Sequence, residues 1–272
     1  MLLKKCQPEY NKTIISDNYS GKTTYSLNKE DNLNDALSTT NSKNEWPLIK
    51  KISALQSLST DEIDVLLKLH EKKIVIDAKK IFLHQNSINR QCFIVNSGWA
   101  YRFKDHMNGE RQIINYILPG DIISPLALVN PKKKYSIASI TNLHVSVLKP
   151  QYLMDLYTAQ PKLFSLYIEI LDWENAMLIE QMTCIGWLTA YQRTVYLLLN
   201  LYERLKLVGC VKNDTFYAPL TQQLLADTLS LSIVHVNRTI KRLRDDNLIK
   251  MESNEIELLD IPSLKQIVGA LN

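Results

Sequence analysis

The sequence predicts an α+β chain: an all-β unit toward the front, one long helix in the middle and a winged helix-turn-helix at the end. Three observations carry this. Between about residues 73 and 150, short alternating apolar and polar runs are separated by turn residues, the spacing of a sandwich or barrel. Residues 161–185 repeat apolar side chains seven positions apart, the pattern of a long packed helix. Residues 217–260 hold two helical stretches joined by a tight turn and followed by a short hairpin. A chain of 272 residues suits two domains. Its 46% hydrophobic and 22% charged content excludes a fibrous, collagen-like or wholly disordered protein. Four cysteines are too few for a disulfide scaffold, and a net charge of +4 selects no partner by itself.

The start, Met1-Leu2-Leu3-Lys4-Lys5-Cys6, lacks the apolar stretch of a signal peptide. The longest apolar run, Val195 to Leu199, is far short of the ~18 residues of a spanning helix. The expectation is a soluble cytoplasmic protein with reduced thiols and no membrane partner. Ser, Thr and Asn supply 17 of residues 1–45, a composition too polar to offset its own ordering entropy, so this stretch reads as a flexible arm. Within it, Ser20-Gly21-Lys22-Thr23 ends like a phosphate-binding loop. The pattern needs Gly at position 16, where Ser16 stands. A nucleotidase built on Gly21, Lys22 and Thr23 is therefore the weaker, enzymatic alternative, and the main reading is not an enzyme.

A sensor unit is expected over residues 46–160. Ser59-Thr60-Asp61-Glu62 fits a capping box, and Ile63, Leu66, Leu67 and His70 continue a helical face behind it. Strands follow at Lys73–Ile76, Cys92–Val95, Gly98–Phe103, Arg111–Leu118, Ser136–Ile140 and Leu143–Leu148. Asn108-Gly109 supplies a hairpin turn because both residue types tolerate positive φ.

Residues 161–186 form the long helix. Leu163, Ile170, Met177 and Cys184 lie seven apart, Leu166 and Trp173 fill the second seam position, and Glu180 interrupts it. This coiled-coil-like stripe predicts a dimer interface, with packing on the chain's own β unit as the alternative. A second helix is expected from about Trp187 to Leu207, stopped by Gly209.

The last unit, 187–272, carries the functional signal. Thr221 can cap a helix holding Leu224, Leu225, Thr228 and Leu229. Ser230-Leu231-Ser232 turns the chain, and Ser232 can cap a second helix from Ile233 to Asp245. At about 100° per residue, Val236, Ile240 and Leu243 share one face of that helix, with Ile233 at its edge. Val234, Arg238 and Lys241 point the other way, with His235 and Arg242 on one flank and Asn237 on the other. Five Lys or Arg against two Asp between Ile233 and Lys250 give this segment a positive balance. A basic face opposite an apolar one, on the exposed helix of this motif, suits DNA. The residues assigned to it are Thr221, Gln222, Ser232, Ile233, Val234, His235, Asn237, Arg238, Lys241 and Arg242. Arg238 could pair bidentately with a guanine and Val234 could meet thymine methyls. Residues 246–258 read as an acidic-edged wing. A winged domain that binds protein instead of DNA is the other alternative.

Taken together, the chain resembles the Crp/Fnr family of bacterial transcription regulators over roughly residues 50–265. The resemblance rests on Gly98-Trp99-Ala100-Tyr101-Arg102, on Pro119-Gly120-Asp121-Ile122-Ile123, on Ala190-Tyr191-Gln192-Arg193 with Leu197-Leu198-Leu199, on Leu220-Thr221-Gln222, and on the run from Leu231 to Thr239. It implies a cyclic-nucleotide-binding-like β-roll of the double-stranded β-helix, jelly-roll-like kind, on a homodimer that reads a palindromic site. Double-stranded DNA, a second copy and RNA polymerase would be its partners. It also places a sensor pocket at Ile123, Ser124, Leu126, Tyr135 and Ser136. Cyclic-AMP binders of the family carry a Glu for the ribose and an Arg for the phosphate. Here the corresponding segments are Ser124-Pro125-Leu126 and Tyr135-Ser136, so cyclic AMP is not expected. Lys132, Lys133 and Lys134 lie close by, but lysine lacks the guanidinium fork. Iron–sulfur sensing needs clustered cysteines, whereas Cys6 stands alone and Cys92, Cys184 and Cys210 have no ligand spacing. No cofactor and no metal site are expected.

Overall fold

The computed structural model describes residues 46–107, 109–127, 130–148 and 151–269. The polar arm with Gly21, Lys22 and Thr23 lies outside the described residues, as does Asn108. Two short helices open the described chain, α1 (Pro47–Leu55) and α2 (Thr60–Leu67). Pro47 starts α1 with its φ already helical and no N–H to leave unpaired. The Ser59 box is formed in full. Glu62 N donates to Ser59 Oγ at 3.3 Å, and Ser59 N donates to the Glu62 carboxylate at 2.7 Å. The helix stops at Leu67, so His70 does not continue its face. The β-branched run Ile74-Val75-Ile76 draws the chain into a strand that begins at His70.

Eight strands follow: β1 (His70–Ile76), β2 (Ile81–Leu83), β3 (Cys92–Ser97), β4 (Ala100–Asp105), β5 (Arg111–Ile117), β6 (Ile122–Ile123), β7 (Ser136–Ser139) and β8 (Leu143–Leu148). They form two antiparallel four-stranded sheets, ordered β1-β8-β3-β6 and β2-β7-β4-β5. The sheets face each other across an apolar interior in which Phe93, Val95 and Val145 of one meet Phe82, Ala100 and Ile137 of the other. This is the expected β-roll. Gly98 turns β3 into β4 at φ +94°, where a Cβ would run into the Asn142 carbonyl oxygen, so only glycine fits. The β4–β5 hairpin closes with Gly109 at φ +84° and His106 N donating to the Glu110 carbonyl at 2.8 Å.

Three helices come next, α3 (Gln151–Ala159), α4 (Pro161–Trp187) and α5 (Ala190–Leu207). The break expected at Gly186 falls two residues later. Helix α4 runs on through Trp187, Leu188 is extended, and Thr189 caps α5 in a full capping box with Gln192. A reciprocal cap satisfies two orphan N–H groups. The Gly186 helical backbone asks for nothing special. The C-terminal unit adds β9 (Val211–Lys212), β10 (Thr215–Tyr217), α6 (Gln222–Leu229), α7 (Ile233–Asp245), β11 (Ile249–Glu252), β12 (Glu255–Leu258) and α8 (Ile261–Val268). Its sheet is ordered β11-β12-β10-β9, and the wing turns on Ser253 and Asn254, both at positive φ.

Each sheet of the roll has its outer face covered. Cys92, Ile94, Ile122 and Leu148 pack against α1, α2, α3 and the first half of α4. Trp99, Tyr101, Phe103, Ile113 and Tyr116 belong to one core with Leu198 and Leu201 of α5 and Ala226 and Leu229 of α6. This corrects the expected dimer stripe. Leu163, Leu166 and Ile170 are buried against the chain's own sheet, and Cys184 is buried in the core shared with α5. Trp173 lies 5.0 Å beneath the Lys51 ammonium, and the Met177 sulfur is 3.6 Å from Asn200 Nδ2. A heptad count identifies a stripe that must be covered, but not what covers it.

Candidate functional site: a DNA-reading helix docked on a sensor

The two helices of the helix-turn-helix are held by caps read from the sequence. Leu224 N donates to Thr221 Oγ1 at 3.1 Å, and His235 N donates to Ser232 Oγ at 3.2 Å. Between them, Ser230 takes the left-handed conformation at φ +54°. Asn237 Nδ2 donates to Gln222 Oε1 at 3.1 Å and ties α7 to the start of α6. On α7, Val236, Thr239, Ile240 and Leu243 are buried. Val234 is 68% exposed, and Ile233, His235, Asn237, Arg238, Lys241 and Arg242 are exposed as well. Among the described residues, Arg238 and Lys241 make no ion pair. Arg242 differs, because its guanidinium stacks 4.6 Å from the Tyr191 ring and lies 3.7 Å from Asp246. The Tyr191 hydroxyl donates to the same carboxylate at 2.7 Å. Burial, with Asp246 accepting that bond, pushes the phenol up to about 12. Arg242 therefore already has partners within the protomer, which its flank position in the sequence could not reveal.

Helix α6 rests on the sensor hairpin. Gln112 Nε2 donates to the Asp227 carbonyl at 2.9 Å, and Ser230 Oγ donates to Gln112 Oε1 at 2.9 Å. The Tyr116 hydroxyl lies 2.7 Å from Thr228 Oγ1 and 3.2 Å from the Leu224 carbonyl. A second tie is electrostatic. Asp121 is buried between Lys51 of α1, at 2.9 Å, and Arg204 of α5, at 2.5 Å. It also accepts from Leu118 N at 2.9 Å. Burial alone would raise this carboxyl. The Arg204 and Lys51 charges outweigh it and hold the group below the ordinary carboxylate range. Glu174 of α4 stands 3.6 Å from Lys51, and burial together with the Asp121 charge raises it. Gly120, at φ +86°, lets Pro47 and Val208 approach within what would be Cβ contact. Sequence reasoning picked out Pro119-Gly120-Asp121 as part of a resemblance but not as this junction, whose partners lie 70 and 83 residues away.

The residues of the expected sensor pocket are divided, although Ile123 and Tyr135 both border the apolar interior of the roll. Ile123 belongs to the apolar interior of the roll, Leu126 is exposed, and Ser136 Oγ accepts from Gln85 N at 2.9 Å. Side chains alternate between faces, so neighbours in sequence do not share a pocket. Ser124 is buried with its hydroxyl unpartnered, and Tyr135 is half-buried with the Arg102 guanidinium 4.6 Å from its ring. Among the described residues no group of three or more His, Cys, Asp or Glu could hold a metal ion. No described helix is long and apolar enough to cross a membrane.

Comparison with known proteins agrees with this architecture. A Crp-like helix-turn-helix domain model matches residues 192–267, and a cyclic nucleotide-binding domain model matches residues 73–160. The chain is 22% identical over 212 residues to the transcriptional regulatory protein btr of Bordetella pertussis, covering 78% of this chain and 87% of that protein. It is 21% identical to the anaerobic regulatory protein of Haemophilus influenzae, covering 78% and 82%. The structure of FixK2 from Bradyrhizobium japonicum superposes with a TM-score of 0.64 at 18% identity, over 72% of this chain and 96% of that one. With both units matched in the order the fold displays them, the chain belongs to the Crp/Fnr family of transcription regulators.

Proposed function

We propose that the protein is a sequence-specific DNA-binding regulator that acts as a homodimer on a two-fold symmetric site. The observation that carries this is the outward face of α7. Val234, His235, Arg238 and Lys241 are exposed on a helix whose opposite face is locked into the core. Early residues of such a helix reach base edges in the major groove, and lysine or arginine beyond them neutralises phosphate. Arg238 is assigned to a base and Lys241 to the backbone. Thr221 and Gln222, at the start of α6, are assigned to the flanking phosphates. Arg242 is assigned to orienting Asp246 and Tyr191, and only secondarily to DNA.

The second copy is assigned to the face of α4 that the protomer leaves open. Ile168, Leu171, Asn175, Leu178, Met182 and Ile185 follow one another at alternating steps of three and four. Of these, Ile168 is 47% exposed and Met182 is 74% exposed. That is a coiled-coil seam with a single polar Asn, a device that fixes register. RNA polymerase is the partner such a regulator would meet at a promoter, and the cytoplasm is where it would meet it.

The test is selection from a random duplex pool by the full-length protein at near-physiological salt. A palindromic motif with half-sites about 34–36 Å apart is expected. Replacing Arg238 with Ala should then cost about 1–3 kcal/mol at one base position, and Lys241→Ala should weaken all sequences alike and flatten the salt dependence. Recovery of no motif, with duplex binding insensitive to salt, would favour a protein-binding adaptor.

A further inference from the structure

Gln222 and Asn237 are both exposed, and both border the groove between α7 and the wing. That groove carries Arg244 on its helix side and Glu252 and Glu255 on its wing side. The bond between the two amides has a direction. Asn237 Nδ2 donates and Gln222 Oε1 accepts, at 3.1 Å. The Gln222 carbonyl is thereby taken, and its NH2 donates to nothing among the described residues. Its neighbour is disposed otherwise, since Gln223 Nε2 donates along the helix to Asp227 Oδ1 at 2.6 Å. Gln222 is also the first residue of α6. Thr221 Oγ1 accepts from Leu224 N, so the N–H groups ahead of Leu224 take no cap from that side chain.

An exposed amide–amide bond adds little to stability, because water offers both groups equivalent partners. What it does is order a long side chain. A free Gln loses rotamer freedom when it grips a ligand, and it can present its carbonyl oxygen as readily as its NH2. A phosphate oxygen accepts hydrogen bonds, so an amide offered NH2 first is bonded and one offered carbonyl first is repelled. From this one-way pairing we infer that Asn237 is a positioning residue and not a base reader. It holds the Gln222 carbonyl so that the NH2 is kept for a phosphate of the DNA backbone. This rests on the regulator reading and narrows it, because base reading on α7 then falls to Val234 and Arg238 without Asn237.

The experiment uses full-length protein and the duplex that the wild type selects, with affinity read by fluorescence anisotropy over a salt series. Gln222→Ala should bind about tenfold or more weaker, the loss expected for a hydrogen bond to a charged group. Asn237→Ala should bind about three- to tenfold weaker, the cost of fixing one long side chain on binding. The double variant should bind as Gln222→Ala does, since Asn237 acts only through Gln222. Glutamine is uncharged, so each loss should leave the salt slope at its wild-type value, unlike Lys241→Ala. Random-pool selection by Asn237→Ala should return the wild-type motif. All three variants should keep the wild-type thermal midpoint, because both positions are exposed. The inference is overturned if the two losses add, if Asn237→Ala binds as wild type does, or if it loses the preference at one base pair. Each of those outcomes leaves the regulator reading intact. Failure of the wild type to select any motif would remove both.

Discussion

Asp121 is a carboxylate almost out of contact with water, charged because Lys51 and Arg204 meet it from segments far away in the chain. Its stabilisation has a definite sign with pH. The folded-state pKa is depressed, so the contribution is complete above the ordinary carboxylate value near 4 and is lost as pH falls through the depressed one. Glu174 runs the other way. Its pKa is raised, so its charged form weighs against the folded state above its ordinary value. Replacing Asp121 with Asn leaves two buried cations facing a neutral amide. The urea midpoint at neutral pH should fall by the equivalent of about 3–5 kcal/mol. The variant should also lose less further stability than wild type between about pH 5 and 3. A variant with wild-type stability and the wild-type acid limb would remove Asp121 from the account of folding. Residue by residue, what the sequence makes legible is what is local. The caps at Ser59, Thr221 and Ser232 reach only three residues. The Asp121 junction was hidden because Lys51 and Arg204 reach it from helices packed on the roll, far away in the chain.

At the scale of elements, α4 is a helix with two apolar stripes, and only one of them was read from the sequence. Leu163, Leu166 and Ile170 cover the roll, whereas Ile168, Leu171, Leu178, Met182 and Ile185 face outward or lie half-covered. Both stripes satisfy a seven-residue repeat, so periodicity alone could not assign one to the protomer and the other to a second copy. The two faces predict different phenotypes. Leu178→Glu should convert a dimer to a folded monomer in sedimentation equilibrium. Leu163→Ala should leave the oligomeric state alone and lower stability by about 2–5 kcal/mol, the cost of a buried cavity. The reverse pattern would return the interface to Leu163 and its neighbours. The helices α1, α3 and α8 were not read from the sequence, and the strands it missed are short or locally silent. β2 has three residues and β6 only two, while β9 and β10 become strands only because the wing lies beside them.

At the scale of the whole molecule, the sensor and the DNA-reading unit are one folding unit more than two. Tyr101, Phe103 and Tyr116 of the roll and Leu198, Leu201, Ala226 and Leu229 of the C-terminal unit share a core. Gln112 and Tyr116 add hydrogen bonds to α6 across the same boundary. Calorimetry of the full chain should therefore show a single cooperative transition. Two resolved transitions would mean the boundary contributes little to either part. Fold class and domain order were readable in the sequence because each unit has its own period. This boundary was not, because its aromatic residues sit in strands that read equally well as ordinary half-buried ones.

The shared core also bears on how the molecule comes apart. A cut in the extended joint at Leu188 would sever the backbone between α4 and α5 and leave the aromatic face of β4 and β5 still seated on α5 and α6. The nicked halves would travel together as one particle. Either half made alone would carry a wound of bare Tyr, Phe and Leu side chains, ready to adhere to whatever offered a similar surface.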